Sequence, residues 1–118
     1  MTGLPRKTRD AVLARDDFQC ACCGKTVGGG CSWWSIQHRK ARGVGGGNAL
    51  SNLIALCGSA TSDGCHLRAE RRGQDMLDGG FWVPSWDDPA LVPVAHFRYG
   101  LVLLTDDGKV IPFREAAA

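Results

Sequence analysis

Six cysteines in 118 residues restrict the possible folds of this chain more than any other feature. A chain of this length buries only a modest core, and small scaffolds commonly add a structural metal or disulfides. Met1 to Asp10 lacks the basic and apolar regions of a secretory signal, and no apolar run approaches a membrane span. The chain is therefore read as cytoplasmic, where cysteines in this number favour metal ligation over disulfides. Cys20-Ala21-Cys22-Cys23-Gly24 has the form of a zinc knuckle. Cys20 and Cys23 have chelating spacing, and Gly24 relieves strain where the amides turn toward the sulfurs. Adjacent Cys22 and Cys23 are poorly placed to share one ion. Cys22 and Cys31 read as small, partly buried thiols, although a zinc set that includes Cys31 stays open. No thioredoxin-like βαβ pattern surrounds Cys20 and Cys23 to suggest a redox dithiol.

The most informative stretch runs from Trp33 to Arg72. A mostly apolar run, Ser32 to Ile36, leads into Gln37-His38. Glycines between Gly43 and Gly47 then forbid regular structure. Ser51-Asn52-Leu53 opens a short apolar segment that reaches Cys57, and Cys65-His66 begins a charged run of good helix formers. One histidine thus ends a strand, a second opens a helix, and Asn52 lies in the loop between.

The order His38, Asn52, His66, framed by Cys20-x-x-Cys23, Cys57 and Cys65, resembles the His-Asn-His (HNH) endonucleases. It is similar to the small HNH proteins of actinobacterial phages, in the Gln37-His38-Arg39-x-x-Arg42-Gly43-x-Gly45-Gly46 stretch and in Gly64-Cys65-His66. The similarity extends more weakly to Leu103-Leu104-Thr105-Asp106-Asp107-Gly108, and so covers nearly the whole chain. It implies an α+β fold: a small zinc-stabilised ββα-metal (His-Me finger) core with an N-terminal helix and a C-terminal β-hairpin extension. Residues 1–78 would form the core with its basic helix, and residues 79–118 an extension packed on it as one domain.

The implied activity is metal-dependent hydrolysis of DNA phosphodiester bonds, as nicking or double-strand cleavage of low sequence specificity. The attacking water must lose a proton, which suits a histidine titrating near neutral pH. The leaving 3′ oxygen and the crowded phosphorane gain from one divalent cation, Mg2+, Mn2+ or Ni2+. On the resemblance, His38 is the general base, Asn52 orients it or pins the loop, and His66 binds the cation. Cys20, Cys23, Cys57 and Cys65 hold structural Zn2+. Two departures from the family's pattern stand out. Related proteins often close the zinc cluster with a second Cys-x-x-Cys, whereas Gly58 to Gly64 separate Cys57 from Cys65 here. Many also carry Asp or His where Gln37 stands as second metal ligand, and a glutamine carbonyl is a weaker, neutral donor. Glu70, one helical turn after His66, offers a charged oxygen to the same ion, or else pairs with Arg68 or Arg71.

Net charge is only +2, but its distribution is uneven. Residues 1–72 hold eleven Lys and Arg against five Asp and Glu, and residues 73–118 hold three against seven. Arg39, Lys40, Arg42, Arg68, Arg71 and Arg72 flank the candidate site as phosphate contacts for double-stranded DNA, or form a solvated basic surface. Pro5 to Asp16 reads as a helix with an Ala11-Val12-Leu13 stripe. Its Arg6, Lys7, Arg9 and Arg15 project away to phosphates or to solvent. The helix begun at Cys65 is expected to end near Leu77, before Gly79-Gly80. Phe81 to Trp86 should be extended. A hairpin should turn at Asp106-Asp107-Gly108, packing Trp82, Leu101 and Leu103, with His96 structural and Ala116 to Ala118 frayed. The resemblance further implies phage genome processing or packaging beside a terminase in the host cytoplasm, with no membrane role. The alternative is a zinc-stabilised DNA-binding or scaffold module without turnover.

Overall fold

Leu53–Cys57 is apolar from end to end, and all five of its side chains are buried. In the computed structural model, which describes residues 4–114, the other elements are arranged to cover this strand. Trp34–His38 (β1) pairs antiparallel with it (β2), with Trp34 opposite Cys57 and His38 opposite Leu53. The basic helix α1, Arg6–Arg15, and the helix α2, Gly64–Glu70, pack against β2. β2's second edge is also closed. The Ala21 amide donates to the Ala55 carbonyl, and the Ala55 amide donates to the Asp16 carboxylate. An uncovered edge of this apolar strand would otherwise invite pairing with another chain.

A short helix α3, Gln74–Asp78, follows. Then Val94–His96 (β3), Gly100–Leu104 (β4) and Val110–Pro112 (β5) form a second antiparallel sheet in the order β3-β4-β5. Over the described residues the chain is a compact α+β fold with three α-helices and two small sheets. One apolar cluster joins Val12 of α1, β2, Met76 of α3, and Val94, Val102 and Leu104 of the second sheet. Ala116 to Ala118 lie outside the described residues. No described helix is long and apolar enough to cross a membrane.

Three local expectations need correction. The charged run from Cys65 does not continue to Leu77 as one helix. It breaks at Arg72, whose φ of 56° is left-handed, and restarts after Gly73, whose carbonyl accepts from the Trp82 indole N–H. In β4, Val102 and Leu104 face the core, while Leu101 is exposed and Leu103 half-buried. All four residues are apolar, so the sequence left the register open; a one-residue slip exchanges the two faces. Phe81 to Trp86 is not one extended run: it bends at Phe81 and Trp82 and turns at Ser85 and Trp86, without sheet pairing, although Trp82 does pack against the core.

Candidate active site and metal centre

The zinc-knuckle reading starts from Cys20 and Cys23. The Cys23 amide points at the Cys20 sulfur, 3.5 Å away. Gly24 has φ +83°, and its amide donates to the Cys20 carbonyl. The second pair forms in spite of its long spacing. Gly58 and Gly64 both have φ +81°, and a Cβ on Gly58 would stand 1.9 Å from the Asp63 carbonyl oxygen. Two glycines thus pinch the loop at its neck, with the Ser59 amide donating to the Asp63 carbonyl. The Cys65 amide is thereby set 3.4 Å from the Cys57 sulfur, mirroring the first pair.

The sulfurs of Cys20, Cys23, Cys57 and Cys65 lie within 4.8 Å of one another, and those of Cys23 and Cys57 are 3.7 Å apart. Zn–S bonds of about 2.3 Å in a tetrahedron require sulfurs about 3.8 Å apart. The donor set therefore fits one zinc ion. Burial pushes the Cys20 thiol up to about 11 and the Cys65 thiol higher still. A bound dication offsets that cost by stabilising the thiolates. Cys22 is half-buried, and Cys31 forms a tight turn with Gly28. Neither belongs to the group of four.

A separate open cleft of about 490 Å³ lies between β1, α2 and the start of α1. Gln37, His38, His66 and Glu70 all line it, together with Ser35 and the cations Arg9 and Arg42. His66 is buried near one end of α2. Its Nδ1 meets the hydroxyl of Ser35, which itself donates to the Gly58 carbonyl at 2.8 Å. With that hydroxyl proton committed, His66 Nδ1–H must be the donor, and Nε2 is left with its lone pair free. Burial lowers the His66 pKa, as does the nearby His38, against an upward pull from Glu70. Burial thus disfavours the charged imidazolium. Sequence reasoning missed Ser35. Its place two residues before Gln37, on the same face of β1, was the available signal.

His38 ends β1, half-buried, with Nε2 2.9 Å from Asn48 Oδ1 and 3.2 Å from Arg42 Nε. Asn52 does not reach it. The Asn52 side chain instead accepts from the Lys40 amide at 2.7 Å and donates to the Lys40 and Gly47 carbonyls. Of the two roles open to Asn52, it therefore pins the loop. That loop delivers Asn48 to the histidine, a second residue the sequence did not reveal. Gln37 is buried at the cleft, and Glu70 is exposed at its rim.

No protein-family model, curated protein or solved structure matches the chain.

The basic residues divide sharply. Arg42 lines the histidine cleft, joined by Arg9, whose guanidinium lies 4.7 Å above the Trp34 ring. Arg68 pairs with Asp75 at 2.5 Å, and with Arg71 it lines a different cleft, over the cysteine cluster. Arg72 lies over the Trp82 ring, and Lys40 faces a third cleft beside Trp86. Arg39 corrects the expectation of a phosphate contact. It is 1% exposed, and its guanidinium donates to the carbonyls of Gly80, Ser51, Pro89 and Val92. Burial, with the charge of Arg15 nearby, brings its pKa down to about 9. Arg15 likewise turns inward, to Asp16 and to the Leu50 and Leu53 carbonyls.

Proposed function

We propose that the chain is a metal-dependent DNA endonuclease of the HNH type, and that β1, β2 and α2 are its ββα-metal core. The observation that carries this reading is the convergence of Gln37, His38, His66 and Glu70 on one cleft. His66 Nε2, freed by the Ser35 relay, is the nitrogen ligand for a divalent cation, with Gln37 and Glu70 supplying oxygens. Bound there, such an ion supplies positive charge to the phosphoryl group and the departing 3′ oxygen. His38 takes the proton of the attacking water as the water oxygen bonds to phosphorus and the P–O3′ bond breaks. Arg42 and Arg9 bind the flanking phosphates. The cysteine cluster fixes the end of β2 relative to the start of α2, which keeps His66 opposite β1. The resemblance to phage proteins supports a role in genome processing or packaging beside a terminase, in the host cytoplasm.

A second reading, a zinc-stabilised DNA-binding module without turnover, draws on two features. His38 Nε2 is already engaged by Arg42 and Asn48, and Gln37 is a neutral donor. Supercoiled plasmid incubated with Mg2+, Mn2+ or Ni2+, against an EDTA control, separates the readings. The nuclease gives metal-dependent nicked or linear product that His38→Ala abolishes. DNA retardation with no cutting in any metal would leave the binding module.

A further inference from the structure

Away from the histidine cleft, the most exposed large apolar side chains among the described residues are Trp86 and Leu91, at 82% and 72%. Both sit on the segment from Pro84 to Val92, which is firmly tethered. The Asp87 amide donates to the Pro84 carbonyl, Asp88 caps the Ala90 amide, and Arg39 grips the carbonyls of Pro89 and Val92 from beneath. A tether of this kind displays the two side chains outward, against the hydrophobic effect.

Beside Trp86 lies a cleft of about 440 Å³, lined by Asp87, Asp88 and Asp106, by Gly45 to Gly47 and by Lys40. None of those three carboxylates is in an ion pair among the described residues. The surface is therefore apolar and predominantly acidic, with three carboxylates from the half of the chain with a charge balance of −4 set against the single Lys40.

We propose that this platform docks an arginine-bearing, partly apolar segment of another protein. An arginine satisfies both features together. Its planar guanidinium stacks on the Trp86 indole and presents N–H donors in its plane to the carboxylates. The partner's apolar side chains then cover Leu91. A nucleic-acid strand would stack a base on Trp86 only by bringing phosphates toward three carboxylates, which the single Lys40 does not offset. The wall formed by Gly45 to Gly47 belongs to the loop that carries Asn48 to His38, so an occupant of the cleft lies against that loop.

The test uses the whole zinc-loaded protein and a fluorescein-labelled synthetic peptide of alternating Arg and Leu, with an alternating Glu and Leu peptide as comparison. Anisotropy should show binding of the Arg peptide alone, weakening as salt rises. Trp86→Ala and Asp87→Arg should each weaken it by about tenfold or more, while Asp78→Arg, on α3, should leave it unchanged. Each variant's thermal melting should match wild type, since Trp86 and Asp78 are exposed and the Asp87 side chain has no hydrogen-bond or ion-pair partner among the described residues. Equal affinity for both peptides, or no loss in Trp86→Ala and Asp87→Arg, would overturn the proposal. So would a single-stranded oligonucleotide whose binding depends on Trp86, or self-association abolished by Trp86→Ala, which assigns the surface to a second copy. No arm requires cleavage, so the outcome is independent of the nuclease reading.

Discussion

His96 Nε2 lies 2.9 Å from Asp16 Oδ1, eighty residues away in the chain, with both side chains fully buried. The Arg98 amide donates to His96 Nδ1 at 3.1 Å, so the ring proton sits on Nε2 and is given to Asp16. Asp16 also accepts from both Arg15 and the Ala55 amide. One carboxylate thereby ties the end of α1, the edge of β2 and the second sheet together.

Burial raises the Asp16 pKa, but hydrogen bonds from His96 and Arg15, with the charge of Arg15, outweigh it and hold the carboxyl below its ordinary value. A depressed folded-state pKa stabilises the fold at every pH above the unfolded value. That stabilisation is lost as pH falls through the folded one. Acid unfolding should therefore set in below about pH 4 and shift little above it. Asp16→Ala should cost roughly 3–5 kcal/mol, because it strands the Arg15 charge and the Ala55 amide. Urea titration at neutral pH measures that cost. A variant as stable as wild type would refute the anchoring role.

Purified protein should carry about one tightly held zinc per chain. Cys57→Ser should lose both metal and fold, since structural zinc affinity is folding free energy. Cys31→Ser and Cys22→Ser should keep both. Gly58→Ala should weaken zinc retention against a chelator, because the new Cβ meets the Asp63 carbonyl at the loop neck. Metal analysis of the four variants gives the answer, and a Cys31→Ser protein that sheds zinc would overturn the ligand assignment.

His38→Ala should reduce cleavage on the order of 10²–10⁴-fold, as expected for loss of a general base, with zinc content and DNA affinity unchanged. Asn48→Ala should lower the turnover rate without altering DNA affinity, since it frees the ring without touching the phosphate contacts. Single-turnover cleavage alongside a binding assay reads both effects. Undiminished cutting by His38→Ala would end the proposed mechanism.

The metal's oxygen donors can be told apart by titration. Gln37→Asp should lower the Mg2+ concentration needed for half-maximal cutting, because a full charge replaces a neutral dipole beside the ion. Glu70→Ala should abolish cutting at low metal, with partial rescue by excess Mn2+. Metal curves unchanged in Gln37→Asp and Gln37→Ala alike would remove Gln37 from the site.

Arg39 and Arg42 should separate structure from binding. Arg39→Lys offers three donors to four carbonyls. One unmet buried acceptor costs about 1–3 kcal/mol, which thermal or urea unfolding will register. Arg42→Ala should leave stability within about 0.5 kcal/mol yet weaken DNA binding and its salt dependence. The reverse pattern would return Arg39 to the surface role expected of it.

Local chemistry sufficed for the elements themselves. Five consecutive apolar residues specify β2, Pro5 and the apolar stripe place α1, and the Cys20–Gly24 knuckle needs no distant information. The placement of His38 at a strand end and of His66 in a helix was legible for the same reason. Tertiary structure decided what one-dimensional spacing cannot encode. Arg39 and Arg42 are chemically alike and three residues apart, yet the first lies beneath the 80–92 segment and the second opens to the cleft. Cys57 and Cys65 meet because the fold closes a glycine neck between them. Ser35 and Asn48 gain their roles from histidines they approach only after β1 pairs with β2. In β4, alternation could not choose between two apolar faces, and burial in the common apolar cluster selected Val102 and Leu104. The sequence by itself determined which segments had to be buried or coordinated. Packing alone determined which of several equivalent side chains reached the site, because that choice depends on neighbours brought from far along the chain.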